Sequence, residues 1–164
     1  MNVFITGHCE GIGKAIYDQL STNCTVTGFS LSNNYNIADT DSIISQLHGD
    51  HVFVNNAFLD FHQVELFDKW YATFKNTQST IVNMSSAAAT GSLSQALNPV
   101  YMASKKELVK HSNTAVNDLT RQCRIINISP GWVDTKFARE SRGLETPMLT
   151  TNECADAVCW AISL

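Results

Sequence analysis

Eight residues near the start, Thr6-Gly7-His8-Cys9-Glu10-Gly11-Ile12-Gly13, restrict this chain more than any other segment. They follow Asn2–Thr6, a β-branched and aromatic run that reads as a buried strand. They lead into Ile12–Leu20, where Ile12, Ala15, Ile16 and Leu20 recur at helical spacing. A chain passing from strand to helix over three glycines turns sharply and keeps Cβ atoms out of the turn. The helix then presents its first N–H groups and positive potential to whatever lies before it, which suits a pyrophosphate.

Downstream, strands and helices alternate. Cys24–Phe29 reads as a second strand, Asn33-Asn34 as a turn and Tyr35-Asn36-Ile37 as a short third strand. Asp39-Thr40-Asp41 has N-cap chemistry before the apolar positions Ile43, Ile44 and Leu47. His51–Asn55 is a fourth strand, Val64–Phe74 an amphipathic helix and Thr80–Met84 a fifth strand. A long helix is expected from Tyr101 to about Leu119, and a sixth strand over Arg124–Ile128 before Pro130-Gly131. Thr150-x-x-Glu153 is a capping box opening a last helix to about Ile162. The strands are continuously apolar, as in a parallel sheet covered on both faces. The expected fold is therefore α/β: a Rossmann-type doubly wound parallel sheet, three-layer αβα, of about six strands, in a single domain over residues 1–164.

Composition excludes several functions. Net charge is -4 and the charged residues are spread along the chain, so no basic stripe points to nucleic acid or a membrane surface. No apolar run is long enough to span a bilayer. Met1–Ile5 runs straight into the glycine turn, with no expected leader. The five cysteines form no CxxC and read as reduced thiols of a cytoplasmic protein, with Cys9 in the turn open to oxidation. The histidines show no metal-ligand spacing, and no metal is expected. His48 and His51 flank Gly49-Asp50 and are expected to be solvated.

A second motif, Tyr101-Met102-Ala103-Ser104-Lys105, places a phenol and an ammonium one helical turn apart on one face. A free tyrosine is a poor base at neutral pH, and a neighbouring cation favours its phenolate. Such a tyrosine can exchange a proton with a substrate oxygen.

These two motifs in this order, with Ser85-Ser86 ending the strand between them, resemble the short-chain dehydrogenase/reductase family, in an unusually short form. The resemblance runs from Asn2 to Ile162 and implies an NAD(P)-dependent oxidoreductase acting on a carbonyl or alcohol. Ser86 would orient the substrate, Tyr101 act as acid/base, and Lys105 position the nicotinamide ribose and tune the tyrosine. Ser85 is the alternative to Ser86, which precedes Tyr101 by fifteen residues, two more than is usual. The turn would hold the cofactor through Thr6, Gly7, Glu10, Gly11, Ile12 and Gly13. Asn55-Asn56-Ala57 resembles the family's N-N-A-G segment, with Phe58 in place of glycine. Asn36-Ile37 resembles its adenine-contacting Asp-Val pair. Pro130, Gly131, Val133 and Thr135 resemble the segment closing over the nicotinamide, with residues 136–147 as a mobile lid.

The end of the second strand decides between NAD and NADP in such folds. Here it carries Ser30, Leu31 and Ser32. With no acid to repel a phosphate and no arginine to hold one, NADP is favoured slightly over NAD. The family's further catalytic asparagine has no counterpart between Ala57 and Lys75, and set against the resemblance the family's usual seventh strand is not expected within these residues. A small homodimer or a monomer fits the reduced surface. The alternative function is a dinucleotide-binding module, a sensor or scaffold with weak or no catalysis.

Overall fold

The structure, a computed structural model, describes residues 1–91, 98–142 and 148–163. Its sheet has five parallel strands in the order β2-β1-β3-β4-β5. The strands are β1 (Asn2–Thr6), β2 (Thr25–Phe29), β3 (His51–Asn55), β4 (Thr80–Met84) and β5 (Arg124–Ile128). Among the described residues six α-helices accompany them: α1 (Gly11–Leu20), α2 (Thr40–Gln46), α3 (His62–Phe74), α4 (Pro99–Val116), α5 (Lys136–Arg142) and α6 (Thr151–Ser163). This is the expected Rossmann-type architecture.

Alternation along each strand builds the three layers. Val3 and Ile5 of β1, Val52 and Val54 of β3, and Val82 and Met84 of β4 pack against Ala15, Ile16, Cys154, Ala155 and Val158 of α1 and α6. The intervening Phe4, Phe53 and Ile81, with Phe29, meet Ile43, Val64, Phe67, Trp70 and Leu108 on the other face. One layer is thus branched aliphatic and the other largely aromatic.

Three expectations need correction. Tyr35–Ile37 is not a strand, so the described residues hold five strands rather than about six. Asn34 is left-handed (φ 66°), the Tyr35 N–H returns to Ser30 O, and Asn36 accepts from Ala38 N through its side chain and from Asp39 N through its carbonyl. Its backbone is spent on local turns. The long helix starts at Pro99, capped by Asn98 accepting from Val100 N at 2.8 Å, and ends before the fully exposed Leu119. His51 is buried, not solvated. Trp70 Nε1 donates to its Nε2 at 3.0 Å, and its Nδ1 lies 2.9 Å from Gly49 O. The capping box forms as expected, with Glu153 N donating to Thr150 Oγ1 and Thr150 N to Glu153 Oε2.

Candidate active site

β1 connects outward to β2, and the next strand, β3, lies on β1's other side. Strand order therefore reverses beyond the C-terminal ends of β1 and β3, where doubly wound sheets open a crevice. A cavity of about 900 Å³ occupies that place.

Its floor is stitched from the two strand ends. Thr6 Oγ1 accepts from the N–H groups of Asn56 and Ala57, each at 3.0 Å, and Asn56 Nδ2 donates to Thr6 O at 2.9 Å. Gly7 (φ 72°) and Gly11 (φ 56°) are left-handed. A Cβ on Gly13 would stand 2.0 Å from Gly7 O, so no larger residue fits. α1 opens on Glu10 with no side-chain cap and no acidic residue in its first turn. Its leading N–H groups are left to a ligand, and the turn fits a dinucleotide pyrophosphate.

Thr6, Gly7, Glu10, Gly11, Ile12, Gly13, Ser30, Asn36, Ile37, Asn56 and Ala57 all line the cavity. Asn55 does not: it is fully buried beneath the floor, donating to Gln63 O and Asn83 Oδ1, each at 3.0 Å. At the end of β2, Cys9 Sγ lies 3.1 Å from Ser30 Oγ and 3.0 Å from Ser32 Oγ, and these hydroxyls hold the exposed thiol below its ordinary pKa. Lys14, the nearest basic residue of the helix start, is paired with Asp18 at 2.6 Å.

The opposite wall carries Ser86, Tyr101 and Lys105. Ser86 Oγ accepts from Ala88 N at 3.2 Å, and its hydroxyl acts to lower the pKa of the Tyr101 phenol. Ser85 is turned toward α4 instead, its hydroxyl reaching Lys105 O at 3.5 Å. Burial pushes the Tyr101 phenol up, against the lowering effect of Ser86. The Lys105 ammonium lies over the Tyr101 ring, 5.4 Å from its centroid, and donates to Gln63 Oε1 and Met84 O, both at 2.7 Å. Burial pushes Lys105 down to about 7.

Pro130, Gly131, Val133 and Thr135 close the cavity. Leu149 bonds Trp132 O and Asp134 N, which turns Val133's own N–H and C=O to the other side. Thr135 faces Gly11 across the turn: its Cγ2 would be 3.4 Å from a Cβ there. Residues 136–142 are helical, while 143–147 of the expected lid lie outside the described residues.

Two features escaped the sequence reading. Phe58 and Phe137 flank Tyr101, with ring centroids 4.9 and 5.3 Å away. Gln63 is 1% exposed and reaches Lys105. The available signal for Gln63 was a polar residue on the apolar stripe of Phe67, Trp70 and Phe74. Among the described residues, no group of three or more His, Cys, Asp or Glu is placed to hold a metal, and no helix is long and apolar enough to cross a membrane.

Fold and cavity together define a Rossmann-type doubly wound α/β protein. The family model for short chain dehydrogenases matches residues 61–145, and the chain belongs to that family, whose membership supports an oxidoreductase function. A search of curated proteins found no match. Among solved structures, a short chain dehydrogenase from Burkholderia cenocepacia J2315 in complex with NADP is similar at TM-score 0.83 and 19% identity, over 99% of this chain and 84% of that one. The 3-alpha-hydroxysteroid dehydrogenase from Pseudomonas sp. B-0831 complexed with NADH gives 0.74 and 17%, over 99% and 89%. The 3-ketoacyl-(acyl-carrier-protein) reductase from Brucella melitensis complexed with NADH gives 0.72 and 16%, over 97% and 89%.

Proposed function

We propose that this protein is an NAD(P)-dependent oxidoreductase that moves a hydride between a nicotinamide and the carbon of a small carbonyl or alcohol. The observation that carries the reading is the convergence of Ser86, Tyr101 and Lys105 on the cavity that the glycine turn opens. NAD(P) bound there would supply or accept the hydride. The first N–H groups of α1, with Gly7, Gly11 and Gly13, would hold its pyrophosphate, and Val133 and Thr135 its nicotinamide end. Tyr101 gives its hydroxyl proton to the substrate oxygen during reduction and takes it back during oxidation. Ser86, on the same cavity wall, orients the same oxygen. Lys105 supplies positive potential beneath the phenol and favours the phenolate when protonated.

NADP is the favoured form. Ser30 and Ser32 line the cavity at the end of β2, and neither repels a phosphate. All five cysteines are free thiols, which suits a reducing, cytoplasmic setting. A second reading is a dinucleotide-binding module without turnover. The observation favouring it is the Phe58 ring packed edge-on against Tyr101, where the family carries glycine.

Titration with NADPH and with NADH, followed by nicotinamide fluorescence, tests the reading. Saturable binding of both, tighter for NADPH, is expected, followed by substrate-dependent oxidation of the bound nucleotide. Binding without turnover across a panel of carbonyl compounds would leave the module reading. Binding of neither nucleotide would refute both.

A further inference from the structure

Lys105 is 3% exposed, so its ammonium needs acceptors inside the protein. It has two: Gln63 Oε1 on α3 and Met84 O at the end of β4, each at 2.7 Å. The Gln63 amide cannot turn around without loss. Its Nε2 donates to Asn55 O at 2.6 Å and Met84 O at 3.1 Å, which directs Oε1 at the lysine. The amide thus ties the ends of β3 and β4 to the helix that carries Tyr101. Lys105 has three N–H donors, and the third is left for the cavity side.

We infer that Gln63 is a positioning residue, a fixed amide that holds the Lys105 ammonium at the cofactor cavity and stabilises its protonated form. The inference rests on the oxidoreductase reading for the purpose of that ammonium, but not for the contact itself. The ionisable group facing Lys105 is the Tyr101 phenol from its own helix; α3 presents the neutral Gln63, β4 a carbonyl and the β3–α3 loop the Phe58 ring. Among the described residues no carboxylate contacts Lys105, and Gln63 and Met84 O oppose the desolvation that pulls it down toward neutrality. A lysine poised there changes charge under mild conditions, and its partner sets where.

The test is an NMR pH titration of the cofactor-free protein with 13C at the lysine Cε, Lys105 being assigned by the signal lost in Lys105→Met. In the native protein the Gln63 side-chain amide resonances should move with the same midpoint as Lys105. Gln63→Met removes the acceptor while keeping the shape, and the Lys105 midpoint should fall by about one pH unit. Gln63→Glu supplies a carboxylate, and the midpoint should rise by at least about one unit. An unmoved midpoint in a folded Gln63→Met variant overturns the inference. So does a Gln63 amide indifferent to the lysine titration in the native protein, a readout that survives if the variants fail to fold. None of these signals needs turnover. An unmoved midpoint beside normal activity removes the role of Gln63 alone. The expected shifts in a protein without activity remove the oxidoreductase reading alone.

Discussion

Lys105→Met should make the protein's stability less dependent on pH, by an amount the burial of Lys105 sets. In the fold, Lys105 is pushed down to about 7, whereas an unfolded lysine titrates near ~10.4. Between those values the unfolded chain binds a proton that the native one does not, so native stability rises with pH. It is lost as pH falls toward 7, and below both values the Lys105 contribution is flat. Each pH unit inside the window contributes roughly 1.4 kcal/mol, or about 3 kcal/mol between about pH 7.5 and 9.5. Methionine does not titrate. The variant also leaves Gln63 Oε1 and Met84 O without their ammonium donor, an offset of about 1–3 kcal/mol each that is independent of pH. The slope of the difference is therefore the test. Urea unfolding of both proteins at several pH values, extrapolated linearly, measures it. Every other titrating group is common to both chains and cancels. Wild-type stability gaining about 3 kcal/mol on the variant across that window is the expected result. Parallel curves would mean that Lys105 titrates alike folded and unfolded, and the buried-ammonium argument would fall.

Other perturbations follow from the same geometry. Phe58 contacts Tyr101 edge-on at 4.9 Å and Lys105 at 5.8 Å, together about 1–2 kcal/mol to be broken if the ring swings aside for the nucleotide. Phe58→Ala should then bind NADPH about 10-fold more tightly by fluorescence titration, and weaker binding would make the ring part of the site instead. His51 is buried, its Nε2 accepts from Trp70, and burial holds its pKa below the ordinary histidine value. Native stability should be full above about pH 6.5 and decline as pH falls below it, a decline that thermal melts of His51→Gln should not share. Gly13→Ala drives a Cβ into Gly7 O and should cost about 1–3 kcal/mol or more and abolish nucleotide binding. Gly131→Ala, with nothing within 4 Å of its Cβ, serves as the tolerated control in the same urea melts.

Contacts local in sequence were legible in it. The apolar runs of β1, β3 and β4 announced a sheet covered on both faces, and the glycine turn announced where its crevice would open. Asp39 capped α2 as its chemistry implied, accepting from Ser42 N at 3.1 Å. Tyr35–Ile37 misled because a β-like composition over three residues cannot outweigh the turn bonds of Asn36 and Ser30. His51 beside Gly49-Asp50 looked like turn chemistry, but the partner that buries it, Trp70, lies on α3. The spacing of Lys105 one turn from Tyr101 announced their closeness, and the ammonium lies over the Tyr101 ring. The structure draws the ammonium toward Gln63 and Met84, two residues that no local pattern ties to it. Polar networks joining three elements need the fold before they can be read.

The role of Tyr101 is open to a decisive comparison of wild type with Tyr101→Phe for NAD(P)H oxidation on a panel of carbonyl compounds, alongside nucleotide affinity for each. Substrate-dependent oxidation by the wild type is expected, with a loss of about 100-fold or more in the variant and nucleotide affinity largely kept. Equal turnover in both proteins would contradict Tyr101 as the acid/base. A wild type that binds nucleotide yet reduces no member of the panel would contradict the oxidoreductase itself.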